Sequence, residues 1–233
     1  MNIKQHVPNS ITCLNLISGC IAVVMALQGN LTLALFWVVA ASVFDFFDGF
    51  AARALQAYSP VGKELDSLAD VVSFGVAPGM VLYSLLTVAC APLNAGGFEA
   101  YIPYFAFIIP ALSGLRLAKF NVDTRQSTSF IGLPVPAHAL LWTSLGCTVL
   151  PLAENGGWLF VGLSLVAALL TSLMLVSEIP MFSMKVKSAA WKGNELRYIL
   201  ILGSVLFIAC FGIPGIAASM ILYILLSLVN KQK

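Results

Sequence analysis

Histidine is nearly missing from this chain: His6 and His138 are the only two in 233 residues. That leaves no histidine cluster for a zinc centre, and each is expected as a packing or interfacial residue. Charge is scarce as well, at 9% Asp, Glu, Lys and Arg, where soluble domains carry about 25%. The five cysteines (Cys13, Cys20, Cys90, Cys147, Cys210) have no C-x2-C spacing and no histidine nearby. They are expected as buried free thiols acting as small hydrophobes, not as metal or redox motifs. The net charge of +2 comes without a basic patch beyond lysines flanking apolar runs, which argues against nucleic acid. What remains is 60% hydrophobic with mean hydropathy +0.95. Such a composition belongs to an all-α polytopic membrane protein.

The apolar runs predict eight spans, roughly 10–28, 31–54, 64–90, 100–118, 136–151, 157–177, 196–211 and 213–230, in one integral-membrane domain over 1–233. No small-residue cleavage site follows the first run, so it is expected to stay as a span. Pro8 and Asn9 read as a helix start, with Asn9 or Ser10 as cap. Thr12, Asn15 and Gly19 then form a polar stripe on that helix. Residues 178–195 mix lysines, apolar residues and a tryptophan, as interfacial segments do. With eight spans and a cytoplasmic N-terminus, all twelve Lys and Arg residues fall on the cytoplasmic side, while Glu99 and Glu154 fall opposite.

Acidic residues are few but concentrated. Asp45, Asp48, Asp66 and Asp70 are four of ten in the chain, set within DFFDGFAARALQAYSPVGKELDSLAD. Carboxylates in membrane segments are costly and mark function by default. Asp45 and Asp48 share a helical face with Gly49 and Ala52, and Gly62, Asp66 and Asp70 step by four along another. SPVG (Ser59 to Gly62) reads as a turn between two helices whose stripes face each other. Four convergent carboxylates repel one another unless cations enter, and hard oxygen donors suit Mg²⁺ or Mn²⁺. Ordinary helices with acids paired to Arg53 and Lys63 are the plainer reading, but two cations cannot neutralise four acids so closely spaced.

The pattern D-x2-D-G-x2-A-R-x8-G-x3-D-x3-D, here Asp45, Asp48, Gly49, Ala52, Arg53, Gly62, Asp66 and Asp70, resembles the CDP-alcohol phosphotransferase signature at every fixed position. The opening PN-x2-T-x2-N and the stretches LRLAKFNV, FIGLPVPA and LMLVSEIPMFSMK look like the bacterial membrane-integral phosphatidylserine synthases within that family. The resemblance implies the family's helical fold, a homodimer, and a multi-pass protein of a bacterial inner membrane with its active site toward the cytoplasm. It implies phosphatidyl transfer from CDP-diacylglycerol to L-serine with release of CMP, supported by two Mg²⁺ or Mn²⁺ ions. Asp45, Asp48 and Asp66 would be metal ligands, and Asp70 the general base, itself able to touch a metal. Gly49, Ala52, Arg53 and Gly62, with Asn9 and Thr12, would meet the CDP-lipid. For serine, Arg116 and Lys119 could hold the carboxylate, and Asn121 or Ser113 the amine. Another acceptor, glycerol 3-phosphate or an inositol phosphate, is the alternative within the family. A divalent-metal transporter using the same aspartates is the alternative outside it.

Overall fold

A computed structural model describes residues 3–93, 96–123, 130–182, 191 and 194–229. Arg125 and the lysines at 185, 187, 192, 231 and 233, used above for sidedness, lie outside the described residues.

The chain opens with a long antiparallel hairpin of α1 (Ile3–Leu27) and α2 (Leu31–Ala54). Its turn is set by Gly29 at φ 75° and by Asn30, whose side chain accepts from Leu33 N at 3.1 Å. The first helix therefore begins before Pro8, not at it. Pro8 is the sixth residue of the helix, past its first turn, so it gives no helical N–H to the Lys4 carbonyl, yet the helix runs on through Asn9 and Ser10.

A short link follows, with Gln56 at φ 50°, and then α3 (Pro60–Asp70). SPVG is a helix start and not a turn. Ser59 is extended (φ −146°, ψ 149°), its hydroxyl accepts from Gly62 N at 3.0 Å, and Pro60 takes the first helical position. Directly after Asp70 the helix widens into a π turn, Val71–Val76, before continuing as α4 (Ala77–Cys90). Pro78 explains the widening. It offers no N–H to the carbonyl four residues back and crowds that carbonyl, and Ala77 N bonds Val72 O instead. Together these pieces run 31 residues, Pro60–Cys90.

The next apolar stretch starts as a 3₁₀ segment, Phe98–Phe107, containing Pro103, and becomes α5 (Ile108–Val122). A Cβ on Gly79 would meet Pro110 Cδ at 2.9 Å, and one on Gly75 would meet Ser113 Cβ at 3.1 Å, so α5 rides closely on the π turn and α4. Helices α6 (Val135–Ala153) and α7 (Gly157–Val176) follow. A two-residue antiparallel ladder pairs β1 (Phe130–Ile131) with β2 (Pro180–Met181), tying the link before α6 to the link after α7. Gly132, at φ 77°, passes against the Leu175 carbonyl where a side chain has no room. Helices α8 (Glu195–Phe211) and α9 (Ile213–Val229) form the last hairpin, and Tyr223 donates to Phe182 O at 3.1 Å.

Six of these helical stretches are long and apolar enough to cross a membrane. At 17 residues each, α8 and α9 reach only about 26 Å, short of the ~30 Å hydrocarbon core. Of the cysteines, Cys90 is buried as expected, whereas Cys13, Cys20 and Cys210 lie exposed among outward-facing apolar side chains. An all-helical membrane protein has no need to hide a thiol from lipid.

Hydrogen bonds gather several segments at one end of the bundle. Gln5 Nε2 donates to Tyr58 O (3.3 Å), Lys63 Nζ to Asn121 O (3.0 Å) and Lys119 Nζ to Val176 O (3.5 Å). The candidate site lies at that end.

Candidate active site

Helices α2 and α3 bring Asp45, Asp48 and Asp66 together, with one carboxylate oxygen of each within 4.8 Å of the others. The two stripes read from the sequence thus do face each other. Asp48 is only 6% exposed, and its Oδ2 accepts from Thr12 Oγ1 of α1 at 2.7 Å. Asp66 Oδ1 is buried without a hydrogen-bond partner among the described residues. A buried, unsatisfied carboxylate oxygen beside two further carboxylates is costly as it stands. It fits a hard divalent cation, and an all-oxygen donor set suits Mg²⁺ or Mn²⁺ better than zinc. Lys63 does not join the acids; it donates to Asn121 O.

Asp70 is not one of the three carboxylates of this close triad. It is 8% exposed, and its Oδ1 accepts from Asn15 Nδ2 at 3.2 Å. Asn15 is pinned in turn, since Ser73 of the π turn donates to its backbone carbonyl at 3.0 Å. Gly19, one helical turn on, has no room for a side chain against Ser73. Asp70 still feels the negative charge of Asp45 and Asp66. The arrangement is therefore three carboxylates in a cluster and a fourth held aside by an amide. Asn15 belonged to the polar stripe of α1 in the sequence, but only the packing of α1 on the π turn shows what it holds.

Beside the triad opens a cleft of about 210 Å³. All six residues expected to meet the CDP-lipid line it: Asn9, Thr12, Gly49, Ala52, Arg53 and Gly62. Small residues here have a geometric reason. A Cβ on Gly62 would lie 2.9 Å from Asn9 Oδ1, and one on Gly49 would lie 3.4 Å from Arg53 Nη1, because the guanidinium folds back over the helix. Tyr58, not picked out from the sequence, also lines the cleft, as does Lys63, which was weighed there only as a partner for the acids.

The four residues proposed for the acceptor separate. Arg116, 7% exposed, and Lys119 line a second cavity of about 260 Å³. Arg116 also lies 5.1 Å above the Phe120 ring and interacts electrostatically with Asp70. Ser113 is fully buried against Gly75, and Asn121 donates to Ser67 Oγ at 2.8 Å. Neither lines the cavity. Asp123 and Glu178 do. Asp123 follows Arg116 and Lys119 by seven and four positions at the end of α5, a helical stripe, whereas Glu178 is brought there by the chain leaving α7, which no periodicity signals. His138 is buried in the bundle against Thr171 Oγ1 (3.1 Å), a packing residue as expected.

A carboxylate triad on two facing helices, beside a cleft that Arg53 and Lys63 line together with Asp48 and Asp66, is an arrangement able to hold divalent cations against a phosphate-bearing ligand. The chain belongs to the CDP-alcohol phosphatidyltransferase family, which it matches over residues 5–177. Among its relatives, a Bacillus subtilis protein is 38% identical over 149 residues, covering 64% of this chain and 79% of that one. A Methanocaldococcus jannaschii protein is 32% identical over 210 residues (89% and 84%), and a Mycobacterium leprae protein 35% over 191 (77% and 59%). The chain therefore spans about three-fifths of the mycobacterial relative's length. Each of the three is named CDP-diacylglycerol–serine O-phosphatidyltransferase.

Proposed function

We propose that this protein transfers the phosphatidyl group of CDP-diacylglycerol to L-serine, forming phosphatidylserine and CMP. The observation that carries the reading is the Asp45–Asp48–Asp66 triad at the donor cleft, with Asp70 bonded to Asn15 alongside. Divalent ions on the triad would supply charge neutralisation of the donor's pyrophosphate and polarise its phosphoryl oxygens. Arg53 and Lys63 bring positive charge to the same phosphates. Gly49, Ala52 and Gly62 let the nucleotide approach the helix backbones. Asp70 receives the proton of the acceptor hydroxyl as its oxygen bonds to the phosphorus bearing the diacylglycerol, and the bond from that phosphorus to CMP breaks. Asn15 keeps the Asp70 carboxylate aimed. Arg116, with Lys119, holds the acceptor's carboxylate. Phe46, Phe47 and Phe50 are exposed beside the acids, so the donor's acyl chains can stay in lipid while its head enters the cleft.

The topology within this reading is eight spans, α8 and α9 included, in a bacterial inner membrane, with the site toward the cytoplasm and the chain paired as a homodimer. The hydrogen bonds that gather Lys63, Lys119 and the N-terminal end of α1 at one end support that sidedness. Which of Mg²⁺ and Mn²⁺ is used is left to the test. Purified protein with CDP-diacylglycerol and a panel of alcohols should release CMP with L-serine, lose that activity in excess chelator, and regain it with one or both ions. Release with glycerol 3-phosphate or an inositol phosphate and not with serine would move the acceptor. Metal uptake into proteoliposomes without CMP release would instead favour a transporter.

A further inference from the structure

The π turn divides the Pro60–Cys90 span into a lower piece, which carries Asp66 and Asp70, and an upper one. The first half of α5 rides on the upper piece, where Pro110 and Ser113 close on Gly79 and Gly75. Arg116 and Lys119 come after that contact, toward the end of the helix. Asn121 follows Ser113 by about 12 Å along the axis, so a small tilt about the Gly75 contact would move this end of α5 relative to the aspartates.

Two bonds to one residue hold it. Asn121 Nδ2 donates to Ser67 Oγ at 2.8 Å, and the Asn121 carbonyl accepts from Lys63 Nζ at 3.0 Å. Lys63 and Ser67 are four apart and share a face of α3. Ser67 adjoins Asp66 and precedes Asp70 by one further turn. The carbonyl is among the last four of α5, which have no partner inside the helix, so the ammonium also caps it. Lys63 lines the donor cleft and has three donors, so it can meet a phosphate there without releasing Asn121. Asn121 does not line the Arg116 cavity, and its part is therefore indirect. Resting on the reading that the end of α5 receives the acceptor, we propose that Asn121 is a positioning residue. It registers that end of α5 against the helix bearing Asp66 and Asp70, and so sets where the acceptor hydroxyl lies relative to them. A misplacement of about 1 Å is enough to slow such a transfer severely.

The test is a double-mutant cycle on the Ser67–Asn121 bond: Ser67→Ala, Asn121→Leu and both together, with Ser67→Thr as the variant that keeps the hydroxyl. The KM for L-serine is measured at saturating CDP-diacylglycerol, beside equilibrium binding of labelled donor without serine. Each single loss should raise the serine KM by about twofold to tenfold, as loss of one neutral hydrogen bond predicts. The double variant should do no worse than the more affected single one. Ser67→Thr should stay near wild type, and donor affinity should hold throughout. Ser67→Ala removes one oxygen from a half-buried position, so it reports even where Asn121→Leu fails to fold. A bond that only adds stability would lower the unfolding temperature and leave the serine KM of the folded protein unmoved. That result, effects that multiply in the double variant, or an equal loss of donor affinity would overturn the assignment. So would a rise with Asn121→Leu and none with Ser67→Ala, which would make Asn121 a serine contact. A wild type that does not use serine, or an Arg116→Lys variant with unchanged serine KM, would instead remove the acceptor reading beneath it.

Discussion

The Thr12 hydroxyl lies 2.7 Å from Asp48 Oδ2, joining residues 36 positions apart and binding α1 to the carboxylate cluster. A hydroxyl donating to a carboxylate is a charge-assisted bond, and it restrains the Asp48 carboxylate beside Asp45 and Asp66. Thr12→Val removes the donor with little change of shape. It should weaken CDP-diacylglycerol by roughly tenfold to a hundredfold, from about 1.5–3 kcal/mol, and leave the serine KM little altered. Thr12→Ser should be close to wild type. Steady-state kinetics with each substrate varied in turn check this.

The separation of Asp70 from the triad predicts two different mutant phenotypes. Asp70→Asn should abolish turnover while leaving CDP-diacylglycerol binding largely intact, because a base acts on the acceptor's proton. Asp45→Asn should weaken donor and metal binding together, because a ligand acts on ground-state charge. Equilibrium binding of labelled donor, set beside CMP release, distinguishes them. Equal loss of donor affinity in both variants would erase the division of labour.

Arg116 allows a sharper test than deletion. If its guanidinium grips the serine carboxylate, Arg116→Lys replaces a planar fork by a point charge. The serine KM should then rise roughly tenfold to a hundredfold, again from about 1.5–3 kcal/mol, with the donor KM steady. An unchanged serine KM would end the clamp, and a rise in the donor KM alone would reassign Arg116 to phosphate.

Sidedness can be read chemically. In a cysteine-free background, Glu64→Cys should be labelled by an impermeant maleimide only from the cytoplasmic face, and Asn155→Cys only from the other. Both positions are exposed, one beside the donor cleft and one in the link between α6 and α7. Labelling of both from one face would break the topology.

The sequence made parts of this site legible for a definite reason. Asp45, Asp48 and Asp66 are spaced by helical geometry, so three carboxylates meet wherever two such helices pack. The six cleft residues follow the same spacing. Local backbone chemistry was harder to read. Ser59-Pro60 looks like a turn in isolation, yet a capping hydroxyl followed by proline equally opens a helix, and the extended conformation of Ser59 decided it. Pro8 misled in the opposite sense, because a proline in the opening turns of a helix need not begin it. The pairing of Asn15 with Asp70, and the meeting of Arg116 with Glu178, depend on contacts across 55 or more positions. Neither is written in any window of sequence.

The π turn between Asp70 and Ala77 makes the Pro60–Cys90 span two helices with separate rotational settings on a shared axis. The lower setting is fixed by Asn15 and Ser73 against α1, the upper by Gly75 and Gly79 against Pro110 and Ser113. A π turn takes one residue more than an α turn over nearly the same rotation, so loss of a single residue between Val71 and Val76 can be absorbed by closing the turn to an ordinary α-helix. Loss of a residue between Asp66 and Asp70 cannot, because each residue of an α-helix turns the chain by about 100°. The aim of the Asp70 carboxylate is thus encoded in the number of residues on its own side of the π turn as much as in their chemistry.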